Sequence, residues 1–546
     1  MEKTFNQKNI RVLTWTLISI TLGVLPFYSF DPINIPRFAF TLIFGLVSLG
    51  LIWTNWRKLF SLNYRAILMI SISFVIWTLV SAVISKSNFV ESLFGVTGRQ
   101  TGLLTYVCLV FIMLVVVLSA NKAQLNGIIL ILVFTGVISA LYGVIQFLSF
   151  DPFDWINPYS PVFGFFGNPN FQASFMGISA SAALAFVFNS NKWGLVMIVF
   201  TFYIGLAILI VYLSKSQQGY LVFGAGTSVV MFFWIRAHSR FPRFTPLYIL
   251  VWLTGIFITL IDILQKSPWQ PVLYKPSVTF RGDFWRTGWN ITKDNPIFGV
   301  GLDGYRDSYR LYRDQIAAER NPTAMVDSAH NVFLDISSGG GFPLLVIYCS
   351  LILLVIISIL KVIRREKEFN YAFAASSGAW VAYQAQSLIS INQIGLAIWG
   401  WVLSGAIIGY EINTRKEYSD TLVRKPVAER VAISFGLVIG IAISLPLLLA
   451  DGQFRSTVKA GDVIKIEQNL DRWPQSVIRM NLAAQIFIDG GFADRALKIS
   501  QKAVKVNPRN FEAWEKIYIN PQADQNAKSQ ALAKMRELDP LNPNLK

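Results

Sequence analysis

The chain has two histidines, and one of them, His330, sits in D-S-A-H-N (Asp327 to Asn331), where a polar stretch runs into an apolar one. Asp327 or Ser328 is placed to cap a helix there, which would set His330 in the first turn. The partial positive charge of a helix N-terminus disfavours an imidazolium, so the ring is expected neutral and able to act as a general base. A histidine that only caps or packs at an interface would read the same way. The second histidine, His238, lies in the basic run R-A-H-S-R and reads as solvated or topogenic.

Cations gather around the same polar stretch. F-R-G-D-F-W-R places Arg281 and Arg286 on either side of Phe284 and Trp285. On a helix, Arg281 and Trp285 are i and i+4 on one face. A guanidinium beside an aromatic at a membrane surface suits a phosphate or pyrophosphate near a lipid tail, and it equally suits interfacial snorkelling. Arg99 stands in G-V-T-G-R-Q-T-G and Lys215 in S-K-S-Q-Q-G-Y, beside Gln217 and Gln218. Cations on separate elements can converge on one polyanionic head group.

Three further groups are candidates to shape or support such a site. F-G-N-P-N-F, with Asn168 and Asn170, and G-V-G-L-D-G-Y, with Tyr305, offer hydroxyl-binding amides and a phenol, or plain turns. Asn331 follows the histidine. Asp335 lies just inside the apolar run, where a carboxylate needs a partner: Arg281, Lys215, Gln384 or Gln386. Gly299-x-Gly301-x-x-Gly304 has the spacing of a dinucleotide fingerprint but lacks its βαβ setting. No His/Cys/Asp cluster has ligand spacing, so a metal-independent site without cofactor is expected.

The elements that must position these residues are membrane helices. Of 546 residues, 53% are hydrophobic and 14% charged, with mean hydropathy +0.48. The apolar runs mark about thirteen spans, at 12–30, 37–54, 66–85, 102–120, 125–149, 171–189, 194–213, 219–235, 246–264, 329–361, 371–389, 394–411 and 431–450. Lys and Arg account for the net charge of +17. They fall about twenty to four in alternate loops, which places the N-terminus in the cytoplasm and the large loop and tail outside. Topology therefore explains the charge, and nucleic acid is not an expected partner. Arg37, Lys86, Arg99 and Lys215 are the outward exceptions. Gly339-Gly340-Gly341 and Pro343 should kink the span that follows His330. Cys108 and Cys349 lie in apolar runs and support no disulfide framework.

The expected organisation is an N-terminal bundle over 1–265, a large extracytoplasmic loop over 266–328, a second set of spans over 329–450 and a small α-helical domain over 451–546. In the last, Asn481 to Val506 reads as two amphipathic helices broken at Asp489-Gly490-Gly491. Phe511 to Tyr518 and Gln525 to Leu538 read as a second pair. Ala496, Ala503 and Pro508 fall where a tetratricopeptide unit needs small residues and a stop. The domain is either a small helical hairpin unit or a docking surface for a protein partner.

R-G-D-F-W, N-P-I-F-G-V-G and A-H-N-V-F-L-D followed by a Gly-rich stretch resemble the O-antigen ligase and O-antigen polymerase superfamily, over about spans 2 to 12. That resemblance implies an all-α polytopic glycosyltransferase of the membrane-embedded GT-C type. It implies transfer of a glycan from undecaprenyl pyrophosphate to a lipid, glycan or protein acceptor at the outer face of the cytoplasmic membrane. On it, His330 matches the histidine that activates the acceptor hydroxyl, and Arg281 matches the loop arginine that holds pyrophosphate. Arg99 looks like the arginine of the first outward loop. The family's Ser-Arg at a middle span is here S-K-S-Q-Q-G, so Lys215, Gln217 or Gln218 takes that place. The expected reaction is inverting, with Arg99, Lys215 or Arg286 assisting Arg281. Ligase and polymerase differ only in acceptor. A transporter or flippase of lipid-linked glycans is the rival from another class; it would want midplane charges and paired broken helices in related halves. A membrane scaffold presenting the tail is the other.

Overall fold

A computed structural model describes residues 2–85, 87–153, 155, 162–189, 194–238, 244–263, 276–415 and 426–545. The expected topogenic residues Lys86, Lys192, Arg240, Arg243, Lys416, Arg424 and Lys425, and the first ten residues of the large loop, lie outside these. The chain is an all-helical polytopic membrane protein. The first helix ends at Leu22, short of the expected 30, but all the expected spans fall on helices. They are α1 (Glu2–Leu22), α2 (Asn34–Thr54), α3 (Arg65–Ile84), α5 (Leu103–Ser119), α6 (Lys122–Phe147), α7 (Pro169–Asn189), α8 (Leu195–Leu213), α9 (Gln218–Ala237), α10 (Thr245–Ile263), α14 (Val332–Arg365), α15 (Tyr371–Ile389), α16 (Ile394–Asn413) and α17 (Pro426–Ala460). Among the described residues, nine helices are long and apolar enough to cross a membrane by length and composition. The short α4 (Phe89–Phe94) precedes α5, and the large loop folds into α11 (Pro276–Asp294), α12 (Tyr305–Tyr312) and α13 (Gln315–Arg320).

α5, α7 and α16 are buried nearly throughout, while few residues of α8, α9 and α17 are fully buried. A bundle in lipid gains little from hydrophobic burial, so close approach must come from small residues. α7 and α9 show this: a methyl at Gly177 would stand 2.7 Å from the Gly219 carbonyl, and one at Gly219 would stand 2.8 Å from the Ala173 carbonyl. α17 packs along α2, and α5 against α2 and α16.

Alternate loops meet at opposite ends. At one end Tyr64 binds Asn413, Lys58 Nζ donates to the Leu118 carbonyl at 2.8 Å, and Arg236 donates to the Ile363 carbonyl at 2.6 Å. At the other end gather the loops carrying Arg99, Asn168, Lys215 and Asn392, together with the large loop. Arg37, expected in that outward set of loops, is instead fully buried on α2, where it donates to the Thr21 carbonyl at 2.6 Å and the Phe165 carbonyl at 3.0 Å.

α14 kinks at Gly341, whose φ of 72° only glycine adopts without strain, as Gly339-Gly340-Gly341 foreshadowed. The loosened turn is stitched to the loop by main-chain bonds. Val300 N–H donates to the Ser338 carbonyl (2.8 Å), Gly301 N–H to the Gly339 carbonyl (3.0 Å) and Phe342 N–H to the Pro296 carbonyl (2.8 Å).

Beyond the membrane helices, α17 runs straight through Asp451 into a unit of α18 (Val463–Leu470), α19 (Val477–Asp489), α20 (Ala493–Val506), α21 (Phe511–Ile519) and α22 (Gln525–Leu538). The two expected hairpins are there, with the first turn at Gly490-Gly491. The unit is clamped to α12. Asp539 is fully buried between Arg310 (2.9 Å) and Arg313 (2.8 Å). Arg306 pairs with Glu512 at 2.9 Å, and Asn507 bridges Glu91 (3.0 Å) and Asp307 (2.5 Å).

Candidate active site

α11 carries two working faces because R-G-D-F-W-R alternates its chemistry at helical spacing. Asp283 and Arg286 face the loop's own scaffold. Arg286 binds Asp283 (2.5 Å) and Asp314 (2.6 Å), and Asp283 also takes Arg320. Arg281, Phe284 and Trp285, at i, i+3 and i+4, face His330. The Phe284 ring lies over the imidazole with centroids 5.3 Å apart. Trp285 Nε1 donates to the His330 carbonyl at 3.4 Å. Tyr305 fixes this helix from behind, its hydroxyl donating to the Phe284 carbonyl at 2.8 Å.

His330 is not in the first turn of α14. The cap is Asn331, whose side chain accepts from the Phe333 and Leu334 N–H groups, so His330 lies one residue before the cap at φ +54°. Neither Asp327 nor Ser328 caps; Ser328 is committed elsewhere. Its hydroxyl donates to Asp335 Oδ2 (2.7 Å) and accepts from the His330 N–H (2.9 Å), and Ala329 N–H donates to Asp335 Oδ1 (2.8 Å). Asp335 therefore grips the turn that holds the histidine. Its partners are these groups, not Arg281, Lys215, Gln384 or Gln386. Asn331 ties the same turn to α15 through the Leu388 carbonyl at 2.9 Å.

A left-handed conformation costs a non-glycine residue on the order of 1–2 kcal/mol, so the turn is held by these bonds and not by local preference. Burial first, then Arg281 and Arg99, push the His330 pKa down to about 4, against a smaller opposing pull from Asp327. A pKa that low leaves the ring neutral at ordinary pH, with desolvation and two cations as its causes.

Arg281 reaches across to α9, where Nη2 donates to Gln218 Oε1 at 3.3 Å; Gln218 Nε2 in turn donates to Ser174 Oγ at 2.8 Å. Of the two neighbouring amides, Gln218 is buried and Gln217 exposed. Lys215 is exposed at the turn after α8, with φ +56°. Next to it Ser216 donates to Asn170 Oδ1 at 2.7 Å, while Asn168 Oδ1 accepts from the Asn170 N–H at 2.8 Å in the turn that starts α7. Burial lowers the Arg281 pKa, which measures the unfavourable solvation of a cation set among amides.

Arg99 arrives from the loop before α5 and donates to the Asp327 carbonyl at 3.1 Å. Its loop is held by Asp303, unremarked in the sequence beyond its Gly-rich turn. Asp303 Oδ2 accepts from the Val96 and Thr101 N–H groups, both at 3.0 Å, and Oδ1 accepts from the Thr101 hydroxyl. The two Gly-rich motifs thus interlock, and Asp303 at φ +59° is the pin.

The structure brings together His330, Arg281, Arg99, Gln218, Trp285, Asp335 and Asn331 from α11, the α14 entrance, α9 and the Arg99 loop. It leaves Lys215 and Gln217 on the surface and engages Arg286 with carboxylates. The result is a neutral imidazole beside two arginines: Arg281 bonds an amide, and Arg99 bonds a carbonyl with Asp303, Asp335 and Asp327 close enough to support its charge. Such a set binds an anion and accepts a proton from a neighbouring hydroxyl.

A family model described as O-antigen ligase matches residues 202–349, from within α8 into α14, and so takes in Lys215, Gln218, Arg281, His330 and Asp335 but not Arg99. Comparison with curated proteins gives no match.

Proposed function

We propose that this chain, matched over residues 202–349 by a family model described as O-antigen ligase, is a glycosyltransferase of that superfamily. It moves a glycan from undecaprenyl pyrophosphate to an acceptor hydroxyl. The observation that carries the reading is the meeting of a neutral His330 with Arg281 and Arg99 on three separate elements. His330 takes the proton of the acceptor hydroxyl as the oxygen attacks the anomeric carbon. The bond from that carbon to the pyrophosphate oxygen breaks with inversion. Undecaprenyl pyrophosphate leaves with the electron pair, into the field of Arg281 and Arg99, and the imidazolium returns its proton to solvent. Fixed cations aimed at the developing charge supply the electrostatic stabilisation such a step needs.

The same cations tune the base. Burial, with these cations adding to it, holds His330 near 4, a weak base. An incoming pyrophosphate offsets their charge, raises the imidazole pKa and so strengthens the base when the donor is in place. Asp335, Ser328 and Asn331 position the ring, Trp285 and Tyr305 position α11, and Arg286 orients it through Asp283 and Asp314. Lys215 and Gln217 sit at the rim.

The distribution of Lys and Arg supports an N-terminus in the cytoplasm and a site at the outer face of the cytoplasmic membrane. A polymerase would use the same chemistry on a lipid-linked acceptor. The helical tail, read as tetratricopeptide-like, rests on the active-site loop and supports a role in holding that loop.

The test uses the full chain in nanodiscs with an undecaprenyl-pyrophosphate oligosaccharide, following donor binding and release of undecaprenyl pyrophosphate with lipid and glycan acceptors. Binding is expected to survive His330→Ala while release falls by about 10²–10⁴-fold, the usual worth of a general base. Arg281→Ala is expected to weaken binding itself. Full release by a well-folded His330→Ala protein would overturn the mechanism. Binding without release by wild type under any acceptor would favour a transporter.

A further inference from the structure

Arg99 and Asn392 line two cavities. One reaches Asp327 and Asp335 beside His330. The other, of about 190 Å³, is walled by Asn34, Arg99, Phe166, Asn168, Phe171 and Gln393. These come from α2, the Arg99 loop, the turn before α7 and the α15–α16 turn.

The second cavity has the wrong residues for a mere packing defect. Gln393 is 5% exposed, yet neither its Oε1 nor its Nε2 has a hydrogen-bond partner. Arg99 Nε is likewise buried and unpartnered. Behind Gln393 stands Arg37, with Nε and Nη1 unpartnered; a methyl at Gly395 would touch both residues, 2.9 Å from Nη1 and 3.0 Å from Oε1. A buried amide with both ends unsatisfied destabilises a fold and is retained where something else satisfies it. A lining that combines donors and acceptors (Asn34, Arg99, Asn168, Gln393) with two aromatic rings (Phe166, Phe171) suits the hydroxyls and apolar face of a sugar. A cavity of roughly 150 Å³ accommodates a benzene ring, so this one has room for a single six-membered ring and its substituents.

We propose that this cavity is a saccharide subsite holding one pyranose unit of a glycan, with Gln393 as its principal hydrogen-bonding residue and Arg99 shared with the neighbouring cavity of Asp327 and Asp335. Which glycan supplies the ring, donor or acceptor, rests on the transferase reading; the presence of the subsite does not.

The test is Gln393→Leu, which keeps the volume and removes the unsatisfied amide. Glucose, N-acetylglucosamine and glucuronate are offered in turn to the full chain in nanodiscs and their contact is read by saturation-transfer NMR. The expected result is binding of at least one sugar by wild type and its loss in Gln393→Leu, together with a thermal midpoint equal to or above that of wild type. Gln393→Asn, which keeps the amide at shorter reach, should bind weakly and guards against misfolding of the leucine variant. Binding that Gln393→Leu leaves unchanged, or none by wild type, overturns the proposal. In transfer assays KM should rise about tenfold with kcat retained, the worth of one hydrogen bond. A rise for the donor assigns the ring to the donor glycan, and a rise for the acceptor assigns it to the acceptor. Sugar binding that depends on Gln393 in a protein without transfer would sustain the subsite and refute the transferase.

Discussion

Two pairs of arginines frame the large loop, and they are set up in opposite ways. Arg310 and Arg313 face the helical tail and share Asp539. Arg313 alone makes three contacts with that carboxylate, at 2.8–3.2 Å, and adds the Asn321 and Pro322 carbonyls. Arg310 also stacks over Phe511 at 4.0 Å. Arg281 and Arg99 face His330, and their hydrogen bonds go to an amide and a carbonyl. The first pair is neutralised within the fold. Of the second pair, Arg281 bonds an amide and keeps its field pointed at the site, while Arg99 feels Asp303, Asp335 and Asp327 without hydrogen-bonding their carboxylates. Around the large loop, a carboxylate bonded directly to the guanidinium separates Arg310 and Arg313, which hold the protein together, from Arg281, which can hold a ligand.

The comparison breaks most readily at Asp539. Asp539→Ala leaves two buried guanidiniums without their anion, and such losses cost about 3–5 kcal/mol. Thermal unfolding and protease sensitivity of the tail should show it; an unchanged midpoint would mean the clamp is not structural. Arg281→Ala should do the reverse. It removes no ion pair, so the unfolding midpoint should stay within the scatter of surface substitutions, while donor affinity falls about ten- to a hundredfold, the worth of one charge-assisted contact. Loss of stability comparable to Asp539→Ala would erase the distinction between the pairs.

A finer test uses pH. The His330 pKa is held near 4 by burial and by the two arginines, so activity should fall only on the acid side, as the base protonates. Arg281→Gln removes the larger of the two charge effects and should move the imidazole titration upward, toward the ordinary value, as read by NMR of the ring. No upward movement would mean Arg281 does not act on the base. The smallest expected effect lies on the tail side. Burial, with Asp307 adding to it, pushes Glu91 up to about 8. A carboxyl raised in the fold contributes stability below its unfolded pKa and loses it as pH climbs through the folded value. Tail docking should therefore weaken from about pH 5 toward 8, and Glu91→Gln should flatten that slope.

The spans were legible because the bilayer sets their length and each apolar run had to be one helix. α11 was legible through the i, i+4 spacing of Arg281 and Trp285. Phe284 was not, since its role appears only when α11 crosses the His330 turn. D-S-A-H-N offers three cap-forming residues, and no local rule chooses among them. The choice falls to Asn331 because Asp335 claims Ser328 and the Leu388 carbonyl holds Asn331. Arg37 was weighed only as an exception to charge topology, because nothing in α2 announces that the Thr21 and Phe165 carbonyls will enclose it. Asp539 gave no signal at all: its partners are more than two hundred residues away, and only packing of the tail brings them together.

The seam between the loop and α14 has a consequence for how this sequence tolerates change. It is made by the N–H groups of Val300, Gly301 and Phe342 and the carbonyls of Ser338, Gly339 and Pro296. Main-chain bonds do not read side-chain identity. Mutational scanning across the seam should therefore give a map of two textures, permissive at the exposed Ile297 and intolerant at Gly299, Gly301 and Gly341, where positive φ leaves no room for a Cβ. Random drift would wash out the hydrophobic letters of this segment long before its glycines, and the surviving record of the joint would be a spacing of empty side chains.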